Sequence, residues 1–130
     1  QKKYEEIKKN EVRYETIQCD DADYIIVAFG SAARVSQKAI EIARSEGIKL
    51  GLFRPITLWP FPYKEIEQLS ARIKGILVAE INGGQMVYDV RLATDKGIPV
   101  EYFGRQGGIV PAPDEIVNAL KSKIINSAKS

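Results

Sequence analysis

No histidine occurs in this chain of 130 residues, and that absence removes more chemistry than any other feature of the sequence. A Ser-His-Asp or Cys-His catalytic site and a histidine-ligated metal are both excluded from within the chain. Cysteine is nearly absent as well. Cys19 stands alone, so an internal disulfide is impossible and a reducing, cytoplasmic setting is expected. Its neighbours Asp20 and Asp21 would raise the thiol pKa, which argues against a reactive thiolate. No apolar run approaches the ~20 residues that a bilayer span needs, and no signal peptide is visible. The net charge of +2 supplies no electrostatic reason for a nucleic-acid or membrane partner. Position 1 is not methionine and the single methionine is Met86, so a segment of something longer is expected. What remains, 45% hydrophobic and 28% charged, suits one soluble domain with a single core.

The chain is organised around Gly75-Ile-Leu-Val-Ala-Glu-Ile-Asn-Gly-Gly-Gln-Met86. Ile76 to Ala79 reads as a strand buried on both faces, as in the middle of a parallel sheet. It ends in Glu80, and Asn82-Gly83-Gly84-Gln85 then turns the backbone before a helical pattern begins at Met86. Open α/β sheets place their ligands at the C-terminal ends of such strands. The same residues also suit a plain strand-to-helix turn, and Glu80 reads equally as a functional or a merely solvated carboxylate.

Residues 1–10 are charge-rich, with Glu5 and Lys9 spaced as a helical pair and Tyr4 and Ile7 as the only apolar stripe. We expect a connector helix here, from a preceding domain or as an arm over this one, and a single α/β domain over 11–130. Val12 to Gln18 alternates like a half-exposed edge strand, with Ile17 out of step. Tyr24 to Phe29 is a buried strand. Gly30-Ser31 follows, and Ser31 suits an N-cap; the turn could also present backbone N–H groups to an anion. It lacks the Gly-x-Gly-x-x-Gly and Walker patterns of nucleotide sites. In the helix after it, Ala32, Val35, Ala39, Ile42 and Ala43 share one face, and Gly47 stops it.

Ile48 to Phe53 is the next strand, interrupted by Lys49 and Gly51. Arg54-Pro-Ile-Thr-Leu-Trp-Pro-Phe-Pro62 is an unusual loop, stiffened by three prolines. Arg54, Thr57, Trp59 and Phe61 form a candidate interface, since aromatics and arginine anchor docking surfaces; alternatively Trp59 folds back over the sheet edge. A helix from Pro62 to about Arg72 turns Ile66, Leu69 and Ile73 inward. Met86, Val87, Val90 and Ala93 define a helix ending near Lys96-Gly97, and Pro99 to Phe103 is the last strand. Gly104 to Gly108 is a loop or a lid. Pro113 opens a final helix with Ile116 or Val117, Leu120 and Ile124 inward. One strand followed by four strand–helix rounds makes a three-layer α/β domain with a mostly parallel sheet.

Four stretches together carry a family resemblance: Asp21 to Ser31, Arg54 to Pro62, Glu80 to Arg91 and Gly104 to Pro111. They resemble the C-terminal part of the alpha subunit of 2-oxoacid:ferredoxin oxidoreductases, most like the 2-ketoisovalerate type, with the 2-oxoglutarate type next. The resemblance implies a domain like the C-terminal domain of transketolase: three layers, α/β/α, strand order 1-3-2-4-5, strand 1 antiparallel. It also implies an enzyme that oxidatively decarboxylates a 2-oxoacid to acyl-CoA, with thiamine diphosphate, Mg and iron–sulfur clusters held elsewhere in the complex. Ferredoxin and coenzyme A would then be partners through the complex. No catalytic, cofactor or metal ligand carries over to this chain, and one cysteine cannot replace the about four of a cluster. We therefore expect a non-catalytic assembly domain, with a small-molecule-binding regulatory module as the alternative. Its candidate crevice pairs Gly30 and Ser31 with Glu80, Asn82, Gly83 and Gln85 across the switch point of the sheet.

Overall fold

A computed structural model describes residues 13–56, 61–80, 86–94, 97–104 and 111–126. The expected connector at residues 1–10 lies outside them, as do Thr57, Trp59, Asn82, Gly83 and Gln85. Five strands form the sheet: β1 Tyr14–Ile17, β2 Tyr24–Ala28, β3 Leu50–Pro55, β4 Gly75–Glu80 and β5 Val100–Gly104. Between and after them run α1 Ser31–Ser45, α2 Tyr63–Ser70, α3 Met86–Ala93 and α4 Pro113–Leu120. A π-helical turn, Lys121–Ile125, extends α4 and buries Ile124.

The strand order is β1-β3-β2-β4-β5, with β1 antiparallel to β3 and every other pairing parallel. This is the order expected above. The period-2 geometry of strands divides the buried residues between two cores. Ile25, Val27, Phe53, Ile76 and Val78 face one side with Ile66, Leu69 and Val90 of α2 and α3. Ile26, Ala28, Leu52, Leu77 and Ala79 face the other with Ala39, Ile40, Ile116 and Leu120 of α1 and α4.

Several local expectations need correction. Ile17 is in step after all, because it packs against the α1–α4 core while Tyr14 lies over Phe53 on the other side. The buried face of α1 is rotated from the one expected: Ala33, Ser36 and Ile40 are buried, whereas Val35 and Ile42 sit at its margin. The small residues let α1 lie close to the sheet, and the Ser36 hydroxyl is satisfied by the Ala32 carbonyl at 2.7 Å. Burying a hydroxyl costs little once it is bonded. β3 runs through Gly51 and on to Pro55, so Arg54 belongs to a strand and not to a loop. At α4 both Ile116 and Val117 are buried.

Arg44, in the last turn of α1, fastens three segments. Its guanidinium meets both carboxylate oxygens of Asp21, at 2.8 and 3.2 Å, and also donates to the carbonyls of Gln18 and Leu50. That hydrogen-bonded guanidinium holds Asp21 below the ordinary aspartate range. Cys19 is buried and its thiol is pushed up, but by burial first; Asp20 is the smallest contributor.

Candidate functional site

The C-terminal ends of β2 and β4 carry the described residues of the expected crevice: Gly30 and Ser31 after β2, and Glu80 at the end of β4. β2 and β4 are parallel neighbours whose register ends at Ala28↔Ala79. From there the chain diverges. α1 packs with α4 on one face, while α2 packs with α3 on the other. This divergence makes the β2–β4 junction the topological switch point of the sheet, the place where open α/β folds tend to hold their ligands.

Beyond β2 the chain turns at Gly30, whose φ of 66° is a left-handed conformation that favours glycine. Gly30 takes the N-cap place, and Ser31 is the first residue of α1 with no capping hydrogen bond from its side chain. The expected Ser31 cap is thus replaced by a glycine turn, because the chain must reverse one residue earlier. Phe29 stands 40% exposed at this rim and is not the last buried residue of its strand.

Glu80 ends the neighbouring strand β4. Its carboxylate is half-buried and accepts the Met86 N–H on both oxygens, at 2.8 and 3.2 Å. It therefore caps α3 from the end of β4, supplying an acceptor and a negative charge where the helix dipole is positive. This is neither of the two roles read from the sequence. A hint was present, because a carboxylate stands just before a Gly-rich turn into a helix. Burial pushes the Glu80 pKa up; the Met86 N–H pulls it down, and Asp89 adds a smaller upward push. Asp89, in the first turn of α3, accepts the Tyr63 hydroxyl at 2.7 Å and so ties α2 to α3. That bond raises the Tyr63 pKa.

Behind Glu80 lies β5. Tyr102 has its pKa raised by burial and then by Glu80. At Gly104 an added Cβ would strike the Glu80 carbonyl oxygen and the Tyr102 hydroxyl, so only glycine lets the two strands close here. Neither this contact nor the Tyr63–Asp89 tie had a signal in the linear sequence.

The candidate interface is divided by the fold. Arg54 is half-exposed and pairs with Glu15 across β1 and β3 at 3.1 Å. Phe61 is buried in the core against α2 and α3 and meets Tyr63 edge-on, with ring centroids 5.0 Å apart. Its apolar area is used inside the domain, which corrects its expected place on a docking surface.

Fold and switch point together define the class: a transketolase C-terminal-like α/β domain. Residues 22–116 match the family described as pyruvate:ferredoxin oxidoreductase core domain II, and the chain belongs to that family. A ketoisovalerate oxidoreductase subunit VorB of Methanothermobacter thermautotrophicus is 45% identical over 83% of this chain and 30% of its own. A 2-oxoglutarate synthase subunit KorA of Methanothermobacter marburgensis is 38% identical over 78% of this chain and 27% of its own. The solved 2-oxoglutarate:ferredoxin oxidoreductase from Magnetococcus marinus, with 2-oxoglutarate, coenzyme A and succinyl-CoA bound, superposes with a TM-score of 0.74 and 29% identity. It covers 93% of this chain and 21% of that one. A split-gene transketolase, an inactive beta4 tetramer, shares the fold at a TM-score of 0.74 and 18% identity. The chain thus spans less than a third of the length of the oxidoreductase subunits it matches.

Proposed function

We propose that this chain is a non-catalytic assembly domain of a 2-oxoacid:ferredoxin oxidoreductase. The enzyme would convert a 2-oxoacid and coenzyme A to acyl-CoA and CO2, passing electrons to ferredoxin. Membership of the core domain II family is the observation that carries this reading. The higher identity to the ketoisovalerate subunits, 45% and 42% against 38%, favours a branched-chain 2-oxoacid over 2-oxoglutarate. Thiamine diphosphate, Mg and the clusters would be held by other domains, in a cytoplasmic complex. One cysteine falls short of the about four thiolates that a cluster needs, and the sequence carries no diphosphate-binding pattern. Calorimetry on the isolated domain should therefore show no Mg-dependent binding of thiamine diphosphate. Micromolar binding would overturn the reading in favour of a ligand-binding module.

The switch point is the part of the domain we assign to the complex. It would receive a partner loop or border a substrate channel, with Gly30 and Ser31 on one side and the Glu80–Gln85 turn on the other. A diphosphate is a poor guest beside the Glu80 carboxylate. The proline-stiffened loop containing Thr57 and Trp59 would be a second contact, with Arg54 at its base. In the whole enzyme, Asn82→Ala with Gln85→Ala should lower turnover or assembly, and Trp59→Ala should weaken subunit association by about 2 kcal/mol if it is a hot spot. Normal assembly and turnover in both variants would remove these surfaces from the proposal.

A further inference from the structure

The two helical layers differ in what they show to solvent. α1 turns Arg34, Lys38 and Glu41 outward, and neither α1 nor α4 exposes a large apolar side chain. α3 does the opposite. Met86, Val87, Val90 and Ala93 take its inward face, yet Tyr88 and Leu92 are 65% and 76% exposed. They stand four residues apart, as neighbours on one stripe of the helix. Tyr63 of α2, 39% exposed, reaches the same helix. The polar groups beside this stripe are already used within the domain. Asp89 accepts the Tyr63 hydroxyl at 2.7 Å, and Arg91 donates from Nε and Nη2 to the Val100 carbonyl at 3.2 and 2.9 Å.

We propose that Tyr63, Tyr88 and Leu92 form the face on which this domain packs against a further domain of its own subunit, through an apolar patch on that domain. Single exposed apolar side chains are ordinary, but two large ones on one helical stripe beside an exposed tyrosine mark a contact surface. Internal partners for Asp89 and Arg91 suit an apolar occupant, because drying the surface leaves neither charge without a hydrogen bond. The matched stretch is 30% of a VorB subunit and 27% of a KorA subunit, so a subunit of that kind brings further domains to this one. The patch is also the wrong size for a free partner. A stable complex between separate molecules takes about 800 Å² on each side, more than three side chains supply. Domains tethered in one chain meet at an effective concentration of about millimolar, where a small patch suffices. The inference rests on the assembly role proposed above, and not on which 2-oxoacid the enzyme takes.

Photo-cross-linking tests it in the full-length protein, with benzoyl-phenylalanine in place of Leu92. Irradiation and peptide mapping should join position 92 to residues of the same subunit beyond this segment of 130 residues. The yield should be at least about tenfold above that from the same probe at Lys38, on the charged face of α1. Equal yields would overturn the proposal, as would products confined to residues 1–130, to another subunit or to a second copy. Leu92→Asp gives a second readout. At so exposed a position it costs the fold little, yet it should cut cross-linking from a probe at Tyr88 at least about tenfold. Unchanged cross-linking would overturn the proposal too. Turnover of a 2-oxoacid with coenzyme A and ferredoxin, measured on the unmodified protein, reports on the assigned activity separately, so the two readings fail independently.

Discussion

Phe53→Ala should cost this domain about 3–5 kcal/mol. Phe53 is fully buried in the middle of β3, in register with Thr16 on one side and Val27 on the other. Its ring fills the core beneath α2 and carries the Tyr14 ring on its outer face. Backbone pairing on both sides fixes β3, so the sheet cannot collapse into the hole that alanine leaves. Domains of this size hold only about 5–15 kcal/mol in total. A loss of this order lowers the melting temperature by about 10 °C or more. Tyr14→Ala removes only the exposed half of the stack and should cost about 1 kcal/mol. If calorimetry or urea titration gives comparable losses for the two, the ring of Phe53 is not the support described here.

Glu80 calls for two substitutions, because its shape and its charge act differently. Glu80→Ala deletes the acceptor for the Met86 N–H and should destabilise the domain by about 1 kcal/mol or more. Glu80→Gln keeps an acceptor in place and removes the charge. Burial raises the pKa of Glu80 in the folded domain above its ordinary carboxylate value. The folded state therefore holds this proton more tightly than the unfolded chain. The resulting contribution is fully present below the ordinary carboxylate pKa and is lost as pH rises through the raised one. Wild type should thus lose stability across that window relative to Glu80→Gln, which has nothing to titrate there. In the whole enzyme, Glu80→Ala should reduce turnover or assembly more than Glu80→Gln does. Parallel pH–stability curves for wild type and the glutamine variant would show that burial does not govern this carboxylate.

The strands were legible because burial on both faces leaves near-continuous apolar runs such as Ile25–Ala28 and Ile76–Ala79. Their order was another matter. Nothing local says that Tyr24–Ala28 pairs on both sides while β1 turns antiparallel, and only the resemblance of four motifs supplied it. The face of α1 was misjudged because alanines ring that helix, and small residues mark close packing on more than one side. Phe61 could not be told from a docking residue, since an aromatic beside prolines looks alike whether it faces in or out. The capping by Glu80 depends on a turn that brings residue 86 back to the strand end, a relation in space with no fixed spacing in sequence.

The thin antiparallel strand has a consequence for solution behaviour. β1 has only four residues, is mostly exposed, and carries charge at Glu15. It nonetheless covers the open side of β3, whose residues Leu50–Phe53 are all buried. Edge strands invite pairing between molecules, and short charged ones blunt that tendency. β1 therefore acts as a sacrificial border. Any change that detaches it, including loss of the Arg44 clasp at its far end, bares the edge of an apolar strand to other copies of the protein, so precipitation would precede global unfolding.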